Sequence, residues 1–414
     1  MKRETKGFVM DVEKIIPLLC LGVTTVTIVQ GVLIGTALPQ IVAEFNVDYG
    51  FMGLLMALWT LLLAVSPFVL GGFVDRLDPF VATFTVLLVS SVSTLLNAAA
   101  RDLITFNVVR IVASLLAAPY PWPLCSRIVA TFVGRSRTGF AVATFNTGSM
   151  LGLSASYLIM WLTGNNWRAA MLASGILGIA YLPAPLLARR LMASNRRTSV
   201  EFDRNILLDN GSSNDERLVN RIAAFLFAGH FAALYTWGLL MSWLSTFLVA
   251  ELKLSYGQVT VYMTIIALFS AFLEVLVGVY TDKLGGLKWR TAVLYAGLWP
   301  STLLLFLSLL TSTSELAALL ISLSLLGWRV SSTSFWSIVN DITPSNHYGR
   351  VSRVFVSAAP LSGIASSVVN GFIVSFTGSL RAGILLSAIL QLFTPIFFKK
   401  STDLGLKLKN RGKV

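Results

Sequence analysis

Long apolar stretches recur along this chain, and short polar segments separate them. Twelve stretches are almost free of charge, and nearly all of them are 20 or more residues long. A helix of about 20 residues crosses the roughly 30 Å hydrocarbon core of a bilayer and satisfies its backbone hydrogen bonds internally. The pattern therefore predicts an all-α membrane protein with twelve transmembrane helices, for which the lipid bilayer is the solvent.

The longest polar interval, residues 191–218, lies between the sixth and seventh of these helices. It is charged and poor in aromatic residues, which is typical of a cytoplasmic linker without a core of its own. We therefore predict a six-helix bundle over 1–190 and a second six-helix bundle with a basic tail over 219–414. The predicted helices are 15–38, 49–73, 79–99, 104–128, 138–163, 168–188, 219–249, 255–281, 291–312, 316–340, 352–376 and 382–398.

Composition and charge agree with this interpretation. Hydrophobic residues make up 55% of the 414 positions and charged residues only 12%, against roughly 25% in an ordinary soluble domain. The net charge of +13 would favour nucleic-acid binding only if the basic residues shared one soluble face. Instead, the N-terminus, alternate loops and the C-terminal tail hold 26 of the 32 Lys and Arg residues, and the other loops hold four. We therefore expect both termini in the cytoplasm, in a plasma-membrane protein with no nucleic-acid partner.

The sequence contains no pattern typical of a catalytic or metal site. Cys20 and Cys125 both lie inside predicted helices, so they support neither a disulfide framework nor a Cys-rich metal site. There is no phosphate-binding loop, nucleophile triad or metal-ligand cluster. We expect a protein that is not an enzyme and that has no cofactor or bound metal.

Two short motifs each occur twice. The two copies of the first motif contain Asp75 and Asp282, which are 207 positions apart, half the chain length. A second pair precedes the sixth and twelfth helices: Thr163-Gly164-Asn-Asn-Trp-Arg168 and Thr377-Gly378-Ser-Leu-Arg381. Such repetition predicts two parallel halves related by an axis along the membrane normal.

The two copies around Asp75 and Asp282 resemble the cytoplasmic signature of the major facilitator superfamily, Gly-x-x-x-Asp-(Arg/Lys)-x-Gly. The first copy has Gly71, Asp75 and Arg76, with Asp78 in place of the second glycine; the second has Gly278, Asp282, Lys283 and Gly285. In such a motif, glycine allows close helix packing and the acidic residue forms a breakable polar contact that closes the cytoplasmic side. The alternative is a generic solvated turn.

The resemblance implies a secondary transporter with rocker-switch alternating access. It further implies that the first, fourth, seventh and tenth helices line a central cavity, whereas the second, fifth, eighth and eleventh form the moving interface. In the fifth and eleventh helices, small residues and a proline occupy matching places, and we expect close packing across that interface at Gly148, Gly152, Pro360 and Gly363. The Gly-Pro pair that family antiporters often carry in the fifth helix is absent, which counts against a drug-efflux antiporter.

Three charged residues lie deep inside predicted helices, away from their ends: Arg110, Arg329 and Glu274. A charge at mid-bilayer costs at least roughly 3 kcal/mol, so it persists mainly beside a cavity or a partner. If Arg110 and Arg329 line one cavity, their guanidinium groups suit a carboxylate or phosphate. The alternative is a structural role for each arginine, which would pair with backbone carbonyls or with Glu274. Glu274 is the candidate for proton coupling, and a permanent interface salt bridge is the alternative.

Four other residues are candidate ligands for the substrate. His230 could bind solute or relay protons, although a histidine in a helix is often a packing residue. Alternate prolines at 119, 121 and 123 must break or bend the fourth helix, or else the span ends near 118. Unwound backbone at depth borders protein or water, which makes Tyr120 and Trp122 candidate cavity residues. Gln30 gives the first helix a polar face.

We therefore expect a monomeric secondary active transporter that moves a small organic or inorganic anion, with protons as a candidate coupling partner. A drug or multidrug efflux antiporter is the leading alternative. A non-transporting receptor or an intramembrane enzyme on the same fold is the alternative from another class.

Overall fold

A computed structural model describes residues 12–74, 76–117, 121–133, 138–194, 213–284, 286–343 and 347–411. Within these ranges the chain is helical and contains no strand. The helices are α1 (Val12–Phe45), α2 (Tyr49–Val74), α3 (Pro79–Ala99), α4 (Leu103–Leu116), α5 (Pro121–Phe132), α6 (Thr138–Leu162), α7 (Trp167–Tyr181), α8 (Pro183–Ser194), α9 (Ser213–Ser245), α10 (Tyr256–Leu284), α11 (Leu287–Leu310), α12 (Ser314–Ile342), α13 (Tyr348–Thr377) and α14 (Arg381–Arg411). A π-helical segment, Thr246–Glu251, extends α9.

The helices form twelve membrane crossings. Among the described residues, eleven stretches are long and apolar enough to cross a bilayer. The remaining long helix, α6, has 25 residues and packs against α1 and α10. The fourth crossing consists of α4 followed by α5, and the sixth consists of α7 followed by α8. The predicted all-α fold with twelve crossings in two six-helix bundles is confirmed.

Several helix ends differ from the predicted boundaries. In the fourth crossing, α4 ends at Leu116 and α5 begins at Pro121, and residues 118–120 lie outside the described residues. Helix α14 continues to Arg411, well past the predicted end at 398. In the predicted linker, 191–194 belong to α8 and 213–218 to α9, whereas 195–212 lie outside the described residues.

The two halves repeat the same polar anchor. Glu44, at the end of α1, pairs with Arg168 at 2.6 Å, and Glu251, at the end of α9, pairs with Arg381 at 3.2 Å. The two glutamates are 207 positions apart, like the two signature aspartates. Each anchor ties the first helix of its half to the last. The halves are therefore alike in local structure as well as in sequence.

We call the side of the membrane where α1 and α9 begin the linker face, and the other side the opposite face. The two halves contact each other mainly near the opposite face. There, Ser375 of α13 donates to Asp48, just before α2, at 2.6 Å. The Tyr256 hydroxyl of α10 likewise donates to the carbonyl of Thr36 in α1 at 3.1 Å. Because these residues lie near the far ends of their helices, the halves are closed at the opposite face.

Candidate substrate cavity

A cavity of about 530 Å³ lies between the two halves. Its walls come from α1, α2, α3, α4 and α5 of the first half and from α9 and α13 of the second. Apolar and small polar side chains form most of this surface, together with three tryptophans: Trp59, Trp122 and Trp237. A concave, largely apolar site with a few polar groups is typical of a small-molecule pocket.

Arg110 is the one charged side chain among the residues that line this cavity in the described part of the chain. Asp102 caps α4 by accepting from the backbone N–H of Thr105 at 2.8 Å, and Arg110 follows two turns later. This backbone hydrogen bond lowers the pKa of Asp102, which lies outside the membrane-spanning segment. The cap therefore holds an ionised carboxylate at the helix start and leaves Arg110 to the cavity.

Two hydrogen-bond donors in the cavity wall lack an acceptor. The Nε atom of Arg110 and the Nε1 atom of Trp59 are both buried without a hydrogen-bond partner among the described residues. The guanidinium carbon of Arg110 lies 5.4 Å from the centre of the Trp59 ring. Both residues line the cavity, and a guanidinium and an indole N–H are groups that can donate to an anion.

Arg329, by contrast, is already paired. Its Nε and Nη2 atoms donate to the two carboxylate oxygens of Glu274 at 2.6 and 3.1 Å. Both side chains are buried, and neither is a cavity-lining residue. The guanidinium carbon lies 5.4 Å from the ring centre of Trp237, which does line the cavity. The structure thus separates the two arginines: Arg110 lines the cavity, and Arg329 has the structural pairing that the sequence analysis left as the alternative.

Asn146 connects this ion pair to the first half. Its carbonyl oxygen accepts from Arg329 Nη2 at 3.4 Å, and its side-chain oxygen accepts from Trp122 Nε1 at 3.0 Å. Trp122 lines the cavity, as expected from the sequence. A polar chain therefore runs from Glu274 on α10, through α12 and α6, to the cavity wall on α5.

Gln30 lines the cavity and braces the first half at the same time. Its amide nitrogen donates to Ser91 at 3.0 Å and to the carbonyl of Ser174 at 3.3 Å, and its oxygen accepts from Ser90. These bonds tie α1 to α3 and α7. Gln30 presents part of its surface to the cavity while its amide is occupied.

His230 lies away from the cavity lining. Its Nδ1 atom is 2.9 Å from the carbonyl oxygen of Phe355, and its ring stacks on the Phe355 ring at 3.9 Å between centres. This is the packing environment that the sequence leaves open as an alternative. Tyr120, the other aromatic candidate, falls outside the described residues.

The small residues expected at the moving interface make two kinds of contact, one within a half and one between the halves. A methyl group added at Gly148 or Gly152 would collide with α1 of the same half, for example with the Thr25 carbonyl at 2.9 Å from Gly152. Gly363 faces Thr60 of the other half, with 3.1 Å from its added methyl to the threonine methyl. Pro360 follows Ala359, which lines the cavity. The fifth-helix glycines therefore serve packing within one bundle, and the structure corrects their predicted place across the moving interface.

The signature motif is only partly described. Gly71 and Gly278 belong to α2 and α10, and Arg76 and Lys283 are exposed at the linker face. Asp75 and Gly285 fall outside the described residues, as does the side chain of Asp282. The gating role of the motif stays a prediction.

Sequence reasoning missed Trp59 and Trp237. Neither tryptophan is charged, and both occur in apolar helices where aromatic residues are common, so no local pattern marks them. One signal was available: Trp237 lies 207 positions after Gln30, the offset of the repeated motifs. Both of these residues line the cavity.

The sequence pattern of the Major Facilitator Superfamily matches residues 19–367. The chain belongs to this superfamily. It is therefore a multi-pass membrane transporter and not an enzyme.

Individual relatives in this superfamily are distant. The hexuronate transporter of Bacillus subtilis strain 168 is 23% identical over 376 residues, which cover 87% of each chain. A probable sulfoacetate transporter of Cupriavidus necator is 22% identical over 382 residues, again covering 87% of each. Both relatives are named for anionic substrates.

A solved structure shows the same superfamily fold. It is a bacterial homologue of the human lysosomal transporter Spinster, in an inward-facing and unoccupied conformation. The TM-score is 0.74 at 15% sequence identity, with 96% of this chain and 98% of that chain covered. This similarity concerns the fold alone.

Proposed function

We propose that this protein is a secondary active transporter for a small organic anion, with Arg110 as the group that binds the negative charge. The observation that carries the proposal is Arg110 itself, the one charged side chain that lines the cavity in the described part of the chain, with its guanidinium beside Trp59. A carboxylate accepts from both kinds of donor, and its hydrogen bonds to a guanidinium are charge-assisted. The names of the two relatives support the same class of solute.

Alternating access follows from where the halves touch. They are closed at the opposite face, so solute would enter from the linker face in this arrangement and leave after the halves rock the other way. We place the linker face and both termini in the cytoplasm of the plasma membrane, because most basic residues lie on that side. The mechanism is the rocker switch that the sequence resemblance implies.

Glu274 is the proposed site of proton coupling. In the structure its carboxylate neutralises Arg329 inside the protein. A proton on Glu274 would remove the negative charge and release the arginine beside Trp237, which changes the electrostatics of the cavity wall. Asn146 and Trp122 provide a hydrogen-bonded route for that change to reach the first half.

A drug exporter for cationic compounds fits the cavity less well. Such a transporter needs acidic groups where the cation binds. Among the described residues, the cavity lining contains one guanidinium group and no carboxylate. The charge in the wall therefore favours an anion.

The test is a binding measurement on the purified transporter with D-glucuronate as the first probe. Arg110→Gln should weaken binding by about 10- to 100-fold, because it removes a charge-assisted hydrogen-bonding group worth about 1.5–3 kcal/mol. Arg101→Gln is the matched control, since Arg101 is exposed just before the same helix. Undiminished affinity in the Arg110 variant would exclude Arg110 as the anion ligand.

A further inference from the structure

We infer that the cavity selects solutes that carry one negative charge over solutes that carry two. The inference rests on the proposed function and narrows its substrate to a monocarboxylate with several hydroxyl groups. It depends on the charge of the cavity wall, on the pairing of Arg329, and on the neutral surface around Arg110.

The side chains that line the cavity have a net charge of one positive unit in the described part of the chain. Arg110 is the one ionisable group that lines the cavity in the described part of the chain. The nearest second guanidinium, Arg329, is bound through two atoms by Glu274 and contributes no net charge. A solute with one carboxylate therefore neutralises the site.

A second carboxylate on the solute would enter the cavity without a cationic partner. Burying an unpaired charge is costly because the protein does not replace the water that the charge loses. The remaining wall offers indole rings, methionines and hydroxyls, which do not compensate a full charge. The cavity should therefore discriminate against dianions of the same size and shape.

The neutral surface suits a hydroxylated ring or chain. Trp59, Trp122 and Trp237 present flat apolar faces around the cavity, against which the C–H faces of a sugar can pack. Between them the wall contains hydroxyl groups that can exchange hydrogen bonds with the solute: those of Thr27, Thr60, Ser90, Ser114 and Ser242. A volume of about 530 Å³ accommodates such a molecule with water.

The guanidinium of Arg329 is a second positive charge that Glu274 neutralises. The guanidinium carbon of Arg329 lies 5.4 Å from the ring centre of Trp237, which lines the cavity. Glu274→Gln would leave this guanidinium uncompensated. That variant should therefore gain affinity for dianions, and the gain should depend on Arg329.

The experiment compares D-glucuronate with D-glucarate, which share the configuration at C2 to C5; D-glucarate has a second carboxylate at C1 in place of the aldehyde that closes the glucuronate ring. A second pair, propionate and succinate, provides the same comparison without hydroxyls, and D-glucose is the neutral probe. Affinities are measured by calorimetry on the intact transporter. In the wild type we expect D-glucuronate to bind at least about tenfold more tightly than D-glucarate.

In Glu274→Gln, the preference for D-glucuronate over D-glucarate should fall at least threefold, because the dianion binds more tightly. In the double variant Glu274→Gln with Arg329→Gln, the preference should return to the wild-type value. Equal or tighter wild-type binding of D-glucarate, or of succinate over propionate, would overturn the inference while leaving anion binding intact. Binding of D-glucose alone, or of none of the five probes, would instead overturn the proposed function together with the inference. The wild-type comparison needs no variant, so it keeps the test decisive even where Glu274→Gln folds poorly.

Discussion

Two arginines inside the membrane differ because of what surrounds them. Arg110 lies against Trp59 with its Nε atom unsatisfied, whereas Arg329 shares both oxygens of a buried glutamate. The first can bind a ligand without giving up a partner. The second must first lose Glu274, which makes it a component of a switch.

Removing one partner of the buried ion pair should destabilise the fold. Arg329→Gln leaves the Glu274 carboxylate buried and uncompensated, which costs about 3–5 kcal/mol for pairs of this kind. The combined variant Glu274→Gln with Arg329→Gln should recover most of the loss. Thermal unfolding of the purified variants measures this difference. Equal melting temperatures for the single and double variants would contradict the assignment of a desolvated pair.

A contact between the halves at the opposite face should depend on pH. The hydrogen bond from Ser375 lowers the pKa of Asp48 below the ordinary aspartate value of 3.8, and the backbone N–H groups of Gly50 and Phe51 add to this effect. A carboxylate with a lowered pKa contributes stability above its ordinary value. That contribution is lost as the pH falls from about 4 through the lowered pKa.

Ser375→Ala should therefore raise the pKa of Asp48 and weaken closure of the opposite face. The contact is exposed, so we expect a loss of about 1 kcal/mol or less, which shifts the two conformations by up to about fivefold. The carboxyl signal of Asp48 in a selectively labelled sample reports the pKa. An unchanged pKa would show that Ser375 does not bind the carboxylate, and Ser352→Ala, in an exposed turn of the same helix, is the control.

The sequence identified the buried charges and left pairing with Glu274 as one alternative, without choosing between that pairing and a place in the cavity. Arg110, Arg329 and Glu274 are conspicuous because charge is costly in lipid. Arg329 and Glu274 are 55 positions apart on separate helices, and no periodicity relates them. Only the packing of α10 against α12 shows that one arginine is neutralised and the other is not.

At the scale of helices, hydrophobic length predicted the crossings well. The extension of α14 was not predictable, since residues 399–411 are mostly polar. Leu408 is buried there and Gly405 packs against Ile342, so this last segment is held by contacts that only the folded chain provides.

Glycines at two helix contacts should respond differently to alanine. Gly152→Ala puts a methyl group into α1 of the same half, 2.7 Å from Ile28 Cβ, and should destabilise the protein by about 1–3 kcal/mol. Gly53→Ala puts one between the halves, 3.0 Å from Gly371 Cα. This second change should open the opposite face with a smaller loss of stability, because the halves can separate there.

Thermal unfolding and cysteine accessibility at the opposite face distinguish these two outcomes. Gly152→Ala should lower the melting temperature with little change in accessibility, and Gly53→Ala should do the reverse. Gly31→Ala, where nothing lies within 4 Å of the added methyl group, is the control for helix propensity. If both variants lower the melting temperature equally, α2 and α13 are not a separable interface.

At the scale of the whole molecule, the repeats predicted two similar halves but not which face is closed. One sequence must support both arrangements of a rocker switch, so its pattern cannot favour either one. The contacts of Asp48 with Ser375 and of Tyr256 with Thr36 supply this information. They close the cavity beside Arg110 at the face opposite the linker.

The most direct test of the account is a pair of distance measurements between spin labels during solute binding. One pair is Leu191 with Lys399 near the linker face, and the other is Leu162 with Phe376 at the opposite face; all four side chains are exposed. Adding D-glucuronate should shorten the first distance and lengthen the second, and neither should change in Arg110→Gln. Distances that stay fixed in the wild type, or that change in the same direction, would contradict alternating access around an arginine-bound anion.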